Sequence, residues 1–213
     1  MIEPSPLYPV FLKLDGKKVL VVGGGPVAAG KVPALLEAGA LITVVAPRVV
    51  PELCRAGVTV HERPFAPSDL DGVRWVVAAA TPEVNREVAA LAEQRGLFVN
   101  AVDDVAAASA YLGGVVKKSS VTVAISTGGG APALAGLLRE AFEWLLPDDL
   151  SAWLDTARIE RARWRAARVP MSERRPLLLR ALNELYARRR AAERRPSAVR
   201  AELAAESVRG PLP

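Results

Sequence analysis

The stretch Lys17–Ala46, KKVLVVGGGPVAAGKVPALLEAGALITVVA, decides the fold. Lys18–Val22 is a short β-branched run, the pattern of a strand buried on both faces. It breaks into Gly23-Gly24-Gly25, and Pro26-Val27-Ala28 then opens a helical pattern that ends at Gly39. Pro26 suits a first helical position. Pro33 does not suit the middle of a helix, so a kink or a shortened helix is expected there. A second apolar run, Leu41–Ala46, follows. Strand, glycine turn, helix and strand within about 30 residues is the setting that the spacing Gly23-x-Gly25-x-x-Ala28 needs in order to bind a dinucleotide. Gly23 permits the sharp turn, Gly25 lets the backbone approach a pyrophosphate, and the small Ala28 lets helix and strand pack tightly. The N–H groups and positive dipole end at Pro26–Ala28 would then face the anion. The alternative is a glycine-rich turn in an α/β domain that binds nothing.

Working outward, Gly57–His61 reads as a third strand and Val73–Ala79 as a fourth. Pro82–Arg95 reads as a helix stopped by Gly96, and Leu97–Val102 as a fifth strand ending in Asp103-Asp104. Alternating strands and helices specify an α/β fold with a Rossmann-type, doubly wound parallel sheet. Ligands of such sheets sit outside the carboxyl ends of the strands. Gly23–Gly25, Ala46–Arg48, Thr81 and Asp103 should therefore share one rim. The end of the second strand, Val45-Ala46-Pro47-Arg48, has no acid for the adenine ribose, and Arg48 could meet a 2′-phosphate; this feature alone leaves NAD or NADP open.

Before the first strand, Tyr8-Pro9-Val10-Phe11 is expected to pack as an extended arm on the domain. After Asp104, Ala106–Gly114 is small and expected to be flexible. Val121–Ile125 reads as a strand, Ser126-Thr127-Gly128-Gly129-Gly130 as a turn, and Ala131–Leu146 as a helix. Ser126, Thr127 and Gly128 are candidate substrate-binding residues through their hydroxyls and N–H groups. A turn serving a subunit interface is the equal alternative. From Pro147 the pattern is helical, with stripes Leu150, Trp153, Ala157, Trp164 and Leu178, Leu182, Leu185 that suit a helix–helix core. The end, through Gly210-Pro211-Leu212-Pro213, is expected to fray.

Composition narrows the function. The net charge of +5 divides into −3 over residues 1–150 and +8 over 151–213, so the helical tail suits an anionic partner or a solvated face. No run approaches the ~18 apolar residues of a membrane span. Residues 1–14 lack a signal-peptide pattern, and the single Cys54 fits a reduced cytoplasmic setting. One histidine, His61, read as a surface residue, argues against a histidine triad, and no metal site is expected.

With these residues in hand, the chain resembles the siroheme synthase N-terminal module, the precorrin-2 dehydrogenase and sirohydrochlorin ferrochelatase family. The likeness runs from Leu7 to about Pro147. It rests on Tyr8–Leu12, Val21–Ala28, Lys31, Val44–Pro47, Ala79-Ala80-Thr81 with Asn85, Val99–Asp104, and Val123–Gly129 with Ala131-Pro132, Leu134-Ala135 and Leu138-Arg139. The resemblance implies NAD-linked oxidation of precorrin-2 to sirohydrochlorin, with ferrous iron insertion in some relatives, by a homodimer. It favours NAD, and it implies Asp103 as the catalytic acid/base, with Asp104 in a supporting or merely structural role. Cofactor-binding residues are then Gly23, Gly24, Gly25, Pro26, Val27, Ala28, Pro47 and Thr81. The tail arginines suit the substrate's carboxylates.

The expected domains are an NAD-binding domain over 1–112, a dimerisation segment over 113–147 and a basic helical region over 148–213. No methyltransferase segment is read after them, so a standalone form is expected. Ser109–Gly114 departs from the aromatic stretch of many relatives, and Lys117-Lys118 from a common acidic–basic pair. Two other readings are a catalytically degenerate tetrapyrrole-binding member and a nucleotide-sensing module with a nucleic-acid-binding tail. Sparse aromatics in the tail disfavour the last.

Overall fold

The computed structural model describes residues 7–55 and 57–194. The expected frayed terminus, and the part of the basic helical region beyond 194, lie outside the described residues. Two compact units emerge: the chain up to Gly114 plus Ala124–Arg139, and Val115–Val123 plus the chain from Glu140.

The first unit holds β1 (Lys18–Val22), α1 (Pro26–Glu37), β2 (Leu41–Ala46), β3 (Val58–Glu62), β4 (Trp75–Ala78), α2 (Pro82–Glu93) and β5 (Val99–Ala101). The five strands form one parallel sheet in the order β3-β2-β1-β4-β5. The order reverses beside β1, so the connections that leave the carboxyl ends of β1 and β4 run to opposite faces of the sheet and leave a crevice between them. Alternation along each strand divides the core into two. Val19, Val21, Ile42, Val44 and Val77 pack with Ala28, Val32 and Leu35 of α1. Leu20, Val22, Val45, Val76 and Ala78 pack with Val88 and Ala92 of α2. Burial on both faces explains the continuous Val/Leu/Ile runs.

Three local expectations need correction. α1 runs uninterrupted through Pro33, because Ala28, Val32 and Leu35 on its inner face are buried against the sheet and hold it. The arm Tyr8–Phe11 does not pack: Tyr8, Val10 and Phe11 are exposed, and Leu14 is the side chain that joins the core. The stretch after Asp104 is pinned rather than loose. The Val99 N–H donates to Ser109 Oγ at 2.8 Å, Ser109 and Ala110 N–H both donate to the Val99 carbonyl at 3.0 Å, and Asn100 Nδ2 donates to the Ala110 carbonyl at 3.1 Å. These bonds cover the outer edge of β5, which would otherwise expose unpaired backbone groups.

After that stretch come β6 (Gly114–Lys118), β7 (Val121–Ile125) and α3 (Pro132–Leu145); β6 and β7 form a two-stranded ribbon. The second unit carries α4 (Leu150–Ala166) and α5 (Met171–Arg194), separated where Arg168 adopts φ +52°. The Val169 N–H closes back on the Trp164 carbonyl at 2.9 Å, and the Arg174 guanidinium caps the Val169 carbonyl. Leu150 and Trp164 are buried. Trp153 Nε1–H donates to the Tyr186 hydroxyl at 2.6 Å, which donates to Asp149 at 3.1 Å. In the same unit Lys118 Nζ binds both the Leu146 carbonyl and Asp148 at 2.8 Å, and this ammonium lowers the Asp148 pKa.

Candidate active site

The glycine turn is wedged between neighbouring strand ends. Gly23 N–H donates to the Val45 carbonyl at 3.0 Å, and the Val50 N–H donates to the Gly24 carbonyl at 2.8 Å. Gly23 has φ +126°, and a Cβ there would overlap the Ala79 carbonyl. Gly24 is tighter still: a Cβ would overlap the Arg48 carbonyl oxygen and lie 2.9 Å from Ala46 Cβ. Gly25 differs from both. It sits at the N-cap of α1 in extended backbone (φ −87°), and a Cβ on it would project into open space. No side chain caps α1 and no acid lies in its first turn, so its amide groups remain available to an anion. Ala28 is fully buried against the sheet, whereas Pro26, Val27, Pro47 and Arg48 are exposed along the rim. This cradle fits a dinucleotide pyrophosphate: one glycine opens outward while two close the turn.

At the other side of the crevice, Thr81 is the exposed N-cap of α2. Glu83 lies in the first turn, and its own backbone N–H, the Thr81 hydroxyl and, more weakly, the Arg86 charge hold its carboxyl below the ordinary pKa. Asp103 follows β5, exposed and in the left-handed region at φ +58°. Asp104 turns away to local work, accepting the Ala107 N–H at 3.0 Å and pairing with Arg86 at 3.6 Å. Gly23–Gly25, Pro47, Thr81 and Asp103 thus all follow the carboxyl ends of strands of one parallel sheet.

In the turn before α3, Gly128 N–H donates to Ser126 Oγ at 3.2 Å and Ala131 N–H to Thr127 Oγ1 at 3.3 Å. Both hydroxyls thus serve their own turn. A Cβ on Gly129 would lie 2.9 Å from a Val105 methyl, so this turn packs on the segment just after Asp103. A groove of about 690 Å³ lined by Arg86, Glu93, Phe98, Asp104 and Ser109 lies away from the glycine turn. Sequence reasoning places Gly24 among the cofactor-binding residues without its packing role, and gives Asn85 no role in the site. Asn85 is 3% exposed, with its side chain between β4 and β5. Its signal was a polar residue on the inward face of a helix that starts at a strand end.

Residues 10–114 match the family model NAD_binding_7, described as "Putative NAD(P)-binding". The chain is 46% identical over 173 residues to siroheme synthase 1 of Aeromonas salmonicida (strain A449), a match covering 78% of this chain and 37% of that protein. It is 40% identical over 184 residues to the siroheme synthase of Photorhabdus laumondii, covering 84% and 39%. The solved structure titled "SirC, precorrin-2 dehydrogenase" superposes with a TM-score of 0.62 at 25% identity, covering 82% of this chain and 88% of that one. The chain belongs with the siroheme synthase N-terminal module. It spans about two-fifths of the length of the siroheme synthases it matches. The chain therefore carries an NAD(P)-binding domain of Rossmann type followed by a helical region. Among the described residues no helix is long and apolar enough to cross a membrane.

Proposed function

We propose that the module oxidises precorrin-2 to sirohydrochlorin with NAD⁺, releasing NADH and a proton. The observation that carries this reading is the rim: an outward-facing Gly25 at an uncapped helix start and a carboxylate, Asp103, follow strand ends of one sheet, in a chain similar over most of its length to a precorrin-2 dehydrogenase. Gly23–Ala28, Pro47 and Thr81 hold the dinucleotide, which when bound supplies hydride acceptance. Asp103 is the residue for the proton that must leave the macrocycle; its exposure lets it exchange that proton with solvent. Ser126, Thr127 and Gly128 contact substrate through groups of their turn.

The finer readings are a cytoplasmic homodimer and ferrous iron as a second substrate. Leu137, Trp144 and Leu145 of α3 are 66%, 90% and 73% exposed, a surface suited to a second copy. The test of activity is direct: precorrin-2 and NAD⁺ with the protein should yield NADH, and none from competent substrate ends the reading. Anaerobic iron insertion with and without protein separates a bifunctional enzyme from a dehydrogenase alone. Tetrapyrrole binding without NADH would instead mark a degenerate member, and steeply salt-dependent DNA binding the nucleic-acid alternative.

A further inference from the structure

We infer that Asn85 is a positioning residue that sets the width of the crevice between the cofactor loop and the catalytic carboxylate. The inference rests on the dehydrogenase reading above. In the register of the sheet Val77 pairs with Asn100 and Ala78 with Ala101, which brings Ala79 opposite Val102. In a parallel ladder Val102 then bonds its N–H to the Ala78 carbonyl and its carbonyl to the Ala80 N–H. The first of these bonds exists, at 2.9 Å. The second does not. In its place Asn85, reaching back from the first turn of α2, accepts the Ala80 N–H on Oδ1 at 2.9 Å and directs Nδ2–H to the Val102 carbonyl at 3.5 Å.

One amide thus stands where a backbone bond belongs. It satisfies both groups and keeps the two strand ends a side chain apart, one step before Thr81 on one strand and Asp103 on the other. Loss of the amide lets the ladder zip by one more bond, drawing Asp103 towards the cofactor loop. The bulk of dinucleotide affinity, at Gly23–Ala28, is untouched. Aspartate is a graded probe: ionised, it still accepts the Ala80 N–H but repels the Val102 carbonyl; protonated, it regains the donor. Other charged groups on the flanking elements are Glu83, Arg86, Glu87 and Glu93 of α2 and Asp103 and Asp104 after β5, with none on Ala78–Thr81. The parent shares them, so the variant-to-parent ratio isolates position 85.

The experiment combines three readouts on the full chain. A crystal structure of Asn85→Ala should show the Ala80 N–H on the Val102 carbonyl; an unchanged gap overturns the inference. The kcat of Asn85→Ala should fall about 100-fold, while its Kd for NAD⁺ by calorimetry stays within about threefold because the pyrophosphate site is intact. Parent kcat, or equal losses in kcat and NAD⁺ affinity, overturns it. For Asn85→Asp, which keeps the cap on Ala80, the kcat ratio to parent should climb as pH falls, and a flat ratio overturns the donor role. A parent that makes no NADH ends the dehydrogenase reading and this catalytic role with it, whereas the crystallographic arm still decides the spacing.

Discussion

Substituting alanine at Gly24 and at Gly25 separates folding from cofactor binding at adjacent positions. Neither backbone needs a left-handed φ, so the difference is one of space. At Gly24 the added methyl overlaps the Arg48 carbonyl oxygen and meets its carbon and Ala46 Cβ, both at 2.9 Å, well inside van der Waals contact. Relief requires the end of β2 to move, and that segment is tied back by the Val50 N–H on the Gly24 carbonyl. Overpacking of this kind costs about 1–3 kcal/mol, or a melting point about 2–12 °C lower for a chain of this size. At Gly25 nothing lies within 4 Å of the methyl, so stability should stay within about 0.5 kcal/mol of the parent. With the cofactor placed as proposed, the methyl there occupies the approach of the pyrophosphate. Losing one charge-assisted amide contact, worth about 1.5–3 kcal/mol, should weaken NAD⁺ about 10- to 100-fold. Thermal melts and calorimetric titration of both variants read the two effects separately. Parental NAD⁺ affinity in Gly25→Ala would refute the placement of the cofactor. A Gly24→Ala protein as stable as the parent would refute the packing argument.

Asp103→Asn should lower turnover about 100-fold or more with little change in NAD⁺ affinity, checked by steady-state NADH formation beside calorimetry; unchanged turnover removes Asp103 from the chemistry. Ser109→Ala strips the Val99 N–H of its acceptor on the β5 edge, and denaturant titration should show a loss of about 1–2 kcal/mol. Tyr186→Phe leaves the Trp153 N–H without its acceptor and should cost a similar ~1–2 kcal/mol, seen as an earlier tryptophan fluorescence transition. Asp69 is held below its ordinary pKa chiefly by the Arg63 guanidinium, with the Ala66 N–H adding at 2.8 Å. Its stabilisation is therefore full above the unfolded carboxylate pKa and lost as pH falls through the lower folded value. The stability gap between parent and Asp69→Asn should accordingly close in acid below about pH 4; a gap independent of pH excludes this ion pair as its source.

The sequence by itself determined the parallel sheet, the glycine turn and the carboxyl-end rim. Those follow from periodicity and from glycine spacing, which are local: a strand buried on both faces is uniformly apolar wherever its neighbours lie, and a tight turn needs its glycines whatever surrounds it. Tertiary structure alone decided which glycine closes on which strand. The sequence places Gly24 only among the cofactor-binding residues, whereas its close packing on the Arg48 carbonyl depends on a segment more than twenty residues away. Tertiary structure also decided that Ala106–Gly114, small in composition, is the cover of β5, because the N–H and carbonyl that pin it belong to Val99. Asn85 belongs to the same class. Its amide matters because two strand ends converge on it, and strand register is a property of the assembled sheet that no single stretch of chain encodes.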